Sequence, residues 1–253
     1  MKYLTFNFFL KKNLYMFSKI INTFIICFTL CGCSLINNAL EEMQKNIDSN
    51  QQQINSMKKV AIIYNAKEIE AIVVTPAKYA NKSPLIESIK KNYEIKTQNY
   101  TLQFNEKVKA EQEKSSINQY FAHELSKKIE QAGYQVTLVD KADMTNLNAY
   151  LAKTPKIDGV IKLNIMLGYT SPDNSFLFEP STLINYEVYN KTAQRLSHGK
   201  VGAIGGWISD KYMTFNGLYE DADNARAKLK KYLMDNLDST AQEILKVTVS
   251  NLN

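Results

Sequence analysis

Apolar residues recur along this chain in three rhythms, and each predicts a different element. Between Ile36 and Met57 the step alternates between four residues and three, through Ile36, Leu40, Met43, Ile47, Asn50, Ile54 and Met57. That is a heptad seam with one polar position, and it predicts an amphipathic helix. So short a seam is marginal as a coiled coil, so a single spacer helix is the simpler expectation.

After Lys58 the rhythm becomes that of strands. Val60, Ile62 and Tyr64 alternate, and Ile69–Val74 is a β-branched run closed by Pro76. Asn81–Pro84 reads as a turn and Leu85–Lys91 as a short helix. Tyr93, Ile95, Tyr100, Leu102 and Phe104 alternate like a further strand. Ser116 and Gln119 form a capping box ahead of a helix with Ile117, Tyr120, Phe121, Leu125, Ile129 and Ala132 on one face. Gly133 stands where a helix-ending glycine belongs. Tyr134, Val136 and Leu138 predict a strand, and Asn146–Ala152 a short helix stopped by Pro155. Ile157–Leu167 alternates cleanly, which predicts a sheet covered on one side. A loop is expected over Gly168–Ser181, then a hairpin of Thr182–Tyr189 and Arg195–Ile204 around Asn190–Gln194. One long helix should start at Asp221 or Asp223 and bury Leu229, Leu233, Leu237, Ala241 and Ile244. The order implies an α+β fold: a mostly antiparallel sheet with helices on one face, preceded by a helical spacer.

The third rhythm is an apolar-rich run, Ile20–Leu30, after Lys19 and closing on Leu30-Cys31-Gly32-Cys33. A basic flank, a short apolar stretch and a small residue make a secretory signal. The run is too short for a membrane-spanning helix, which needs about 20 residues. The Cys after the small residue supplies the thiol that takes a diacylglycerol, so Cys33 is the expected lipidation site. Cys31 departs from the Ala, Ser or Thr usual at its place. Residues 1–32 are then the signal peptide, with Met16 the better start because Met1–Tyr15 makes an unusually long n-region. Residues 33–57 are the lipidated terminus and spacer, and 58–253 a single domain.

Composition sharpens this. The chain holds 31 basic and 25 acidic residues, but Lys2, Lys11, Lys12 and Lys19 precede Cys33 and no acid does. The remainder is nearly neutral, which argues against nucleic-acid binding. Cys27 and Cys31 leave with the signal, so no disulfide framework or cysteine metal site is expected. No GxSxG, HExxH, P-loop or GxGxxG occurs. The two histidines, His123 and His198, read as ordinary surface or boundary residues, and the acids lie beside lysines as in a solvated helix face. No catalytic residue, metal or cofactor is expected.

Two aromatic-bearing loops remain. Phe176 and Phe178 lie in Gly168–Ser181; Trp207, Tyr212, Phe215 and Tyr219 lie in Gly205–Glu220. Loops of this length are commonly functional. Phe176, Phe178, Trp207, Tyr212 and Phe215 are therefore the candidate contact residues. The competing expectation is that these rings fold back and cap the core.

Three stretches carry a family likeness. Ile72-Val-Val-Thr-Pro-Ala-Lys-Tyr79 is a strand ending in Pro-Ala-aromatic. Leu125–Asp140 is a helix, a Gly-Tyr pair and a strand ending in Val-Asp. Asp223–Leu245 is a closing helix. Over Lys58–Leu245 the chain resembles the neuraminyllactose-binding hemagglutinin family of epsilonproteobacterial lipoproteins. That resemblance implies surface exposure, adhesion and host-glycan contact. The family's sialic-acid motif is a basic Lys-Arg-Thr loop, whereas the matching loop here, Tyr169–Ser175, has no basic residue. Sialyl-lactose binding is thus not carried over. The expected role is a non-enzymatic outer-membrane lipoprotein in binding or adhesion, held by the lipid on Cys33 and meeting an envelope protein or a host glycan. The alternative is an accessory subunit of an envelope transport or cell-wall complex; an enzyme ranks third.

Overall fold

The computed structural model describes residues 39–67, 70–74, 86–141, 146–171, 177–204 and 208–246. A helix, α1, runs through 39–56. The chain divides into two compact units, one up to Ser49 and one from Asn50. In the first, α1 leaves Leu40 57 % exposed, and Gln44 donates to Asp48 one turn on. In the second, Ile54 and Met57 are buried, Asn50 donates to the Leu196 carbonyl, and Tyr134 donates to the Ile54 carbonyl. The domain boundary expected at residue 58 thus falls earlier, because the last turns of the seam bury their apolar residues within the second unit.

The second unit contains a six-stranded sheet. Its strands are β1 (Lys59–Tyr64), β2 (Glu70–Val74), β3 (Gln135–Asp140), β4 (Gly159–Ser171), β5 (Glu179–Asn190) and β6 (Arg195–Ile204). The order is β3-β1-β4-β5-β6, with β2 paired to the far half of β4. The three C-terminal strands form the expected antiparallel meander. β1 is parallel to β3 and β4, and β2 is parallel to β4, so the sheet is mixed. Helices lie between β1 and β3 and between β3 and β4, and such crossovers return a strand parallel.

The helices are α2 (Ile86–Lys114), α3 (Ile117–Gln131), α4 (Leu147–Lys153), α5 (Phe215–Glu220), α6 (Ala222–Asp235) and α7 (Leu237–Leu245). Tyr169 donates to the Ala225 carbonyl of α6, and Tyr186 to the Glu243 carbonyl of α7. These contacts place α6 and α7 on the sheet face of Ile62, Ile161 and Leu163. α4 lies on the other face, packing Leu147, Tyr150 and Leu151 against Ala61, Ile63 and Val160. Helices therefore cover both faces around β1, not one face as the element order suggests. That is why β1 is buried from Val60 to Tyr64 rather than on alternate residues. Beyond α4 the alternation in β4 holds: Ile161, Leu163 and Leu167 are buried, Asn164 and Met166 exposed.

Local signals explain several elements. Ser116 accepts from the Gln119 amide at 3.2 Å and caps α3, and Gly133 follows α3 with φ +97, a conformation costly for other residues. Asn146 caps α4 by accepting from Ala149 at 2.7 Å. At the β5–β6 turn the Asn190 side chain accepts from the Thr192 and Gln194 amides, and Ala193 takes φ 59. On α3, Ile117, Phe121, Leu125 and Ile129 are buried as expected, while Tyr120 and Ala132 are exposed.

Three elements differ from the sequence reading. Tyr93–Phe104 is not a strand but part of α2, with Ile95 and Leu102 exposed. The loop expected over Gly168–Ser181 contracts, since β4 continues to Ser171 and β5 starts at Glu179. The single closing helix breaks at Asn236, whose side chain donates to the Tyr232 carbonyl and to Thr182. Pro76 and the turn at Asn81–Pro84 lie outside the described residues.

Candidate functional site

Phe178, Tyr212 and Phe215 come together at one end of the sheet. β4 and β2 both finish there, since Val74 is level with Ser171, and β5 begins there. Phe178 and Tyr212 exchange backbone hydrogen bonds in an isolated bridge, at 2.7 and 3.0 Å. The bridge ties the start of β5 to the segment after β6. Thr214 then caps α5 by accepting from Gly217, which aims Phe215 inward. Phe178 and Phe215 are both buried.

What buries them is α2. Tyr100 stacks flat on Phe215, with centroids 3.8 Å apart and planes 3° from parallel, and meets Phe178 edge-on at 6.3 Å. Tyr219 leans on Phe215 at 6.0 Å. Aromatic pairs at such spacings gain about 0.5–1.5 kcal/mol beyond their buried area. So Phe178 and Phe215, expected as contact residues, have their rings turned into the cap. Phe176 and Trp207 lie outside the described residues.

The accessible part of this end is different. Tyr219 is 36 % and Met213 74 % exposed. Lysines lie over several rings: Lys96 by Tyr100 at 5.5 Å, Lys107 by Tyr219 at 5.4 Å and Lys228 by Tyr212 at 4.5 Å. Tyr212 is half-buried and donates to Asp221 at 2.6 Å while Lys228 donates to its hydroxyl. Burial first, and then the hydrogen bond to Asp221, pushes the Tyr212 hydroxyl above its ordinary range. The same hydrogen bond, helped by Asn224 and Lys228, holds the Asp221 carboxyl below the usual carboxylate range. Tyr212 therefore stays a neutral donor. Tyr232 donates to Asp210 and Lys211 pairs with Glu179, which pins the whole segment to α6 and β5.

Behind the rings sits a buried charge. Glu70 is wholly buried, with the Arg226 guanidinium at 3.1 Å and the Gln112 amide donating to its other oxygen. Arg226 also donates to the Ser115 carbonyl at 2.6 Å. These groups join β2, α2 and α6, and the geometry is that of a structural tie. The sequence reading missed Tyr100, Met213, Lys107 and the Glu70–Arg226 pair. A charged residue at the head of a β-branched run was the available signal for Glu70.

His123 is exposed on α3 and His198 half-buried on β6. Among the described residues, no group of three or more His, Cys, Asp or Glu side chains could hold a metal ion. No helix among them is long and apolar enough to cross a membrane.

By its own architecture the chain belongs to the α+β class, with a mixed six-stranded sheet. No family model and no curated protein matches its sequence. Solved structures that align with it include a dodecamer of a PelC variant from Paraburkholderia phytofirmans, at 12 % identity over 70 % of this chain and 88 % of that one, with a TM-score of 0.26. A likeness of that size fixes neither a fold nor a function.

Proposed function

We propose that this chain is an outer-membrane lipoprotein, acylated on Cys33, that works by binding rather than by catalysis. The residues from Cys33 to Ser49, helical from residue 39 on, act as a spacer, and the aromatic end of the sheet makes the contact. An envelope protein or a host glycan is the partner class. The lipobox Leu30–Cys33 supports the anchor. The contact reading rests on one observation, the polarity of the second unit. The chain coming from Cys33 enters beside the β5–β6 turn, where Met57 lies against Gly159 and Gln53 accepts from Asn190. Tyr219 and Met213 lie toward the other end of the sheet. β4 alone has 13 residues, so the two ends are roughly 40 Å apart. Joined to the spacer at Asn50, beside one end, the second unit can offer its other end to a partner.

Fatty-acid labelling tests the anchor. Wild type should carry label and resist high-salt washing, since acyl chains together exceed the threshold for stable anchoring. Cys33→Ala should carry none, and label persisting in that variant contradicts the proposal. Turnover by the purified protein in a hydrolase screen would replace binding with catalysis.

A further inference from the structure

β6 is an outer strand of the sheet, and among the described residues most of its free side is open. The Leu196 carbonyl, at the register shift opposite Val188 and Tyr189, accepts from Asn50 at 2.9 Å, so the amide after it points toward β5 and that carbonyl away from β5. By strand alternation His198, Lys200, Gly202 and Ile204 point the same way. Among the described residues, no backbone hydrogen bond is made on that side by these four. Other edges of this sheet are protected. Thr97, Thr101 and Asn105 of α2 each both accept from and donate to the backbone of β2, Asn50 closes the start of β6, and β3 has only six residues. Between His198 and Ile204 there is no proline and a single lysine, and Ile204 is 69 % exposed. Natural sheets rarely leave such a stretch open unless it pairs.

A cleft of about 640 Å³ runs along this edge, walled on one side by β6 and on the other by Asn236, Ser239 and Glu243 around α7. Tyr186, level with Gly199, reaches the Glu243 carbonyl, so α7 and Glu243 lie on one face of the edge. His198 and Lys200 lie on the other, level with Glu187 and Asn185. A strand added here would send successive side chains alternately to the two faces.

We infer that the β6–α7 edge is a strand-addition site for an extended segment of a partner protein, with adjacent basic and acidic residues meeting Glu243 and Lys200. Unpaired amides and carbonyls in alternation are complemented by an extended backbone and by little else. A second copy of β6 fits less well. It would bring a second α7 whose Glu243 also lines this cleft, adding a like charge rather than the cation that Glu243 calls for. The inference does not depend on the aromatic end.

The test uses the full chain in mild detergent and a labelled heptapeptide alternating threonine and valine, with an arginine–aspartate pair at its centre. Anisotropy should report saturable binding. Methylating alternate peptide nitrogens should weaken it about tenfold or more in one alternation and little in the other. Lys200→Pro removes one outward N–H from an edge position that tolerates proline, so it should weaken binding while the melting midpoint holds; Lys200→Ala should weaken it less. Glu243→Lys should weaken the arginine peptide and spare one with glutamate in its place. No binding up to about 1 mM, the weak limit for a specific contact, or equal loss from both methylation patterns, overturns the inference. Concentration-dependent self-association that Lys200→Pro abolishes also overturns it, because the occupant is then a second copy.

Discussion

Glu70 is the residue on which the region behind the aromatic cap depends most. A buried carboxylate is tolerated only when paired and hydrogen-bonded, and here Arg226 and Gln112 do both. Arg226→Ala should therefore destabilise the fold by about 3–5 kcal/mol in chemical denaturation, because the buried charge loses the guanidinium paired with it. Arg226→Lys should recover only part, since one ammonium replaces a fork that reaches both Glu70 and Ser115. Asp158 gives a pH signature. Its carboxylate accepts from the Lys58 and Lys59 amides, both at 2.9 Å, and those bonds hold its carboxyl below the ordinary aspartate value. A depressed folded pKa contributes stability that is fully present above the unfolded value, about 3.9. That contribution is lost as pH falls through the folded value. Asp158→Asn should thus lower the melting midpoint at neutral pH and narrow its gap to wild type as pH drops below about 4. A gap that stays constant down to about pH 2 would show that the carboxylate charge contributes nothing there.

At the scale of elements, α2 shows why part of the fold was hidden in the sequence. Its docking face is half polar: beside the buried Phe104 and Val108 runs a row of hydrogen-bonding side chains. Thr97, Thr101 and Asn105 recur every fourth residue and meet Val74, Ile72 and Glu70, every second residue of β2. Four helical residues rise about 6.0 Å. Two strand residues rise about 6.6 Å, so the two ladders stay nearly in step. The apolar line of helical period on this helix is narrow, only Tyr100, Phe104 and Val108, and the exposed Ile95 and Leu102 gave a false impression of strand alternation. Thr101→Val keeps the shape but removes both hydrogen bonds to Ile72, at 3.0 and 3.4 Å. It should cost about 1–3 kcal/mol, the penalty for stranding buried backbone groups. Leu102→Ala, one residue on, should change the melt by no more than about 0.5 kcal/mol. Elements whose burial is apolar and one-sided were legible: the capped α3 with Gly133 behind it, the alternation of β4, and the β5–β6 hairpin. The break between α6 and α7 was not, because Leu229, Leu233, Leu237, Ala241 and Ile244 keep one apolar line straight through Asn236.

For the whole molecule, the α+β class and the aromatic residues were legible in the sequence, which also suggests the anchor, but which rings remain accessible was not. That required knowing that Tyr100 sits on a helix and covers Phe178 and Phe215. It also required the polarity of the second unit, which puts chain entry at the β5–β6 turn and leaves Tyr219 and Met213 toward the far end. Neither fact is local in sequence. The central claim, a tethered protein that binds through its far end, can be tested by placing a photocrosslinking residue at Tyr219 or at Thr192 and irradiating intact cells. Both positions are exposed, and they lie toward opposite ends of the sheet. A discrete adduct is expected from position 219 and none from position 192. Adducts from position 192 alone would contradict it.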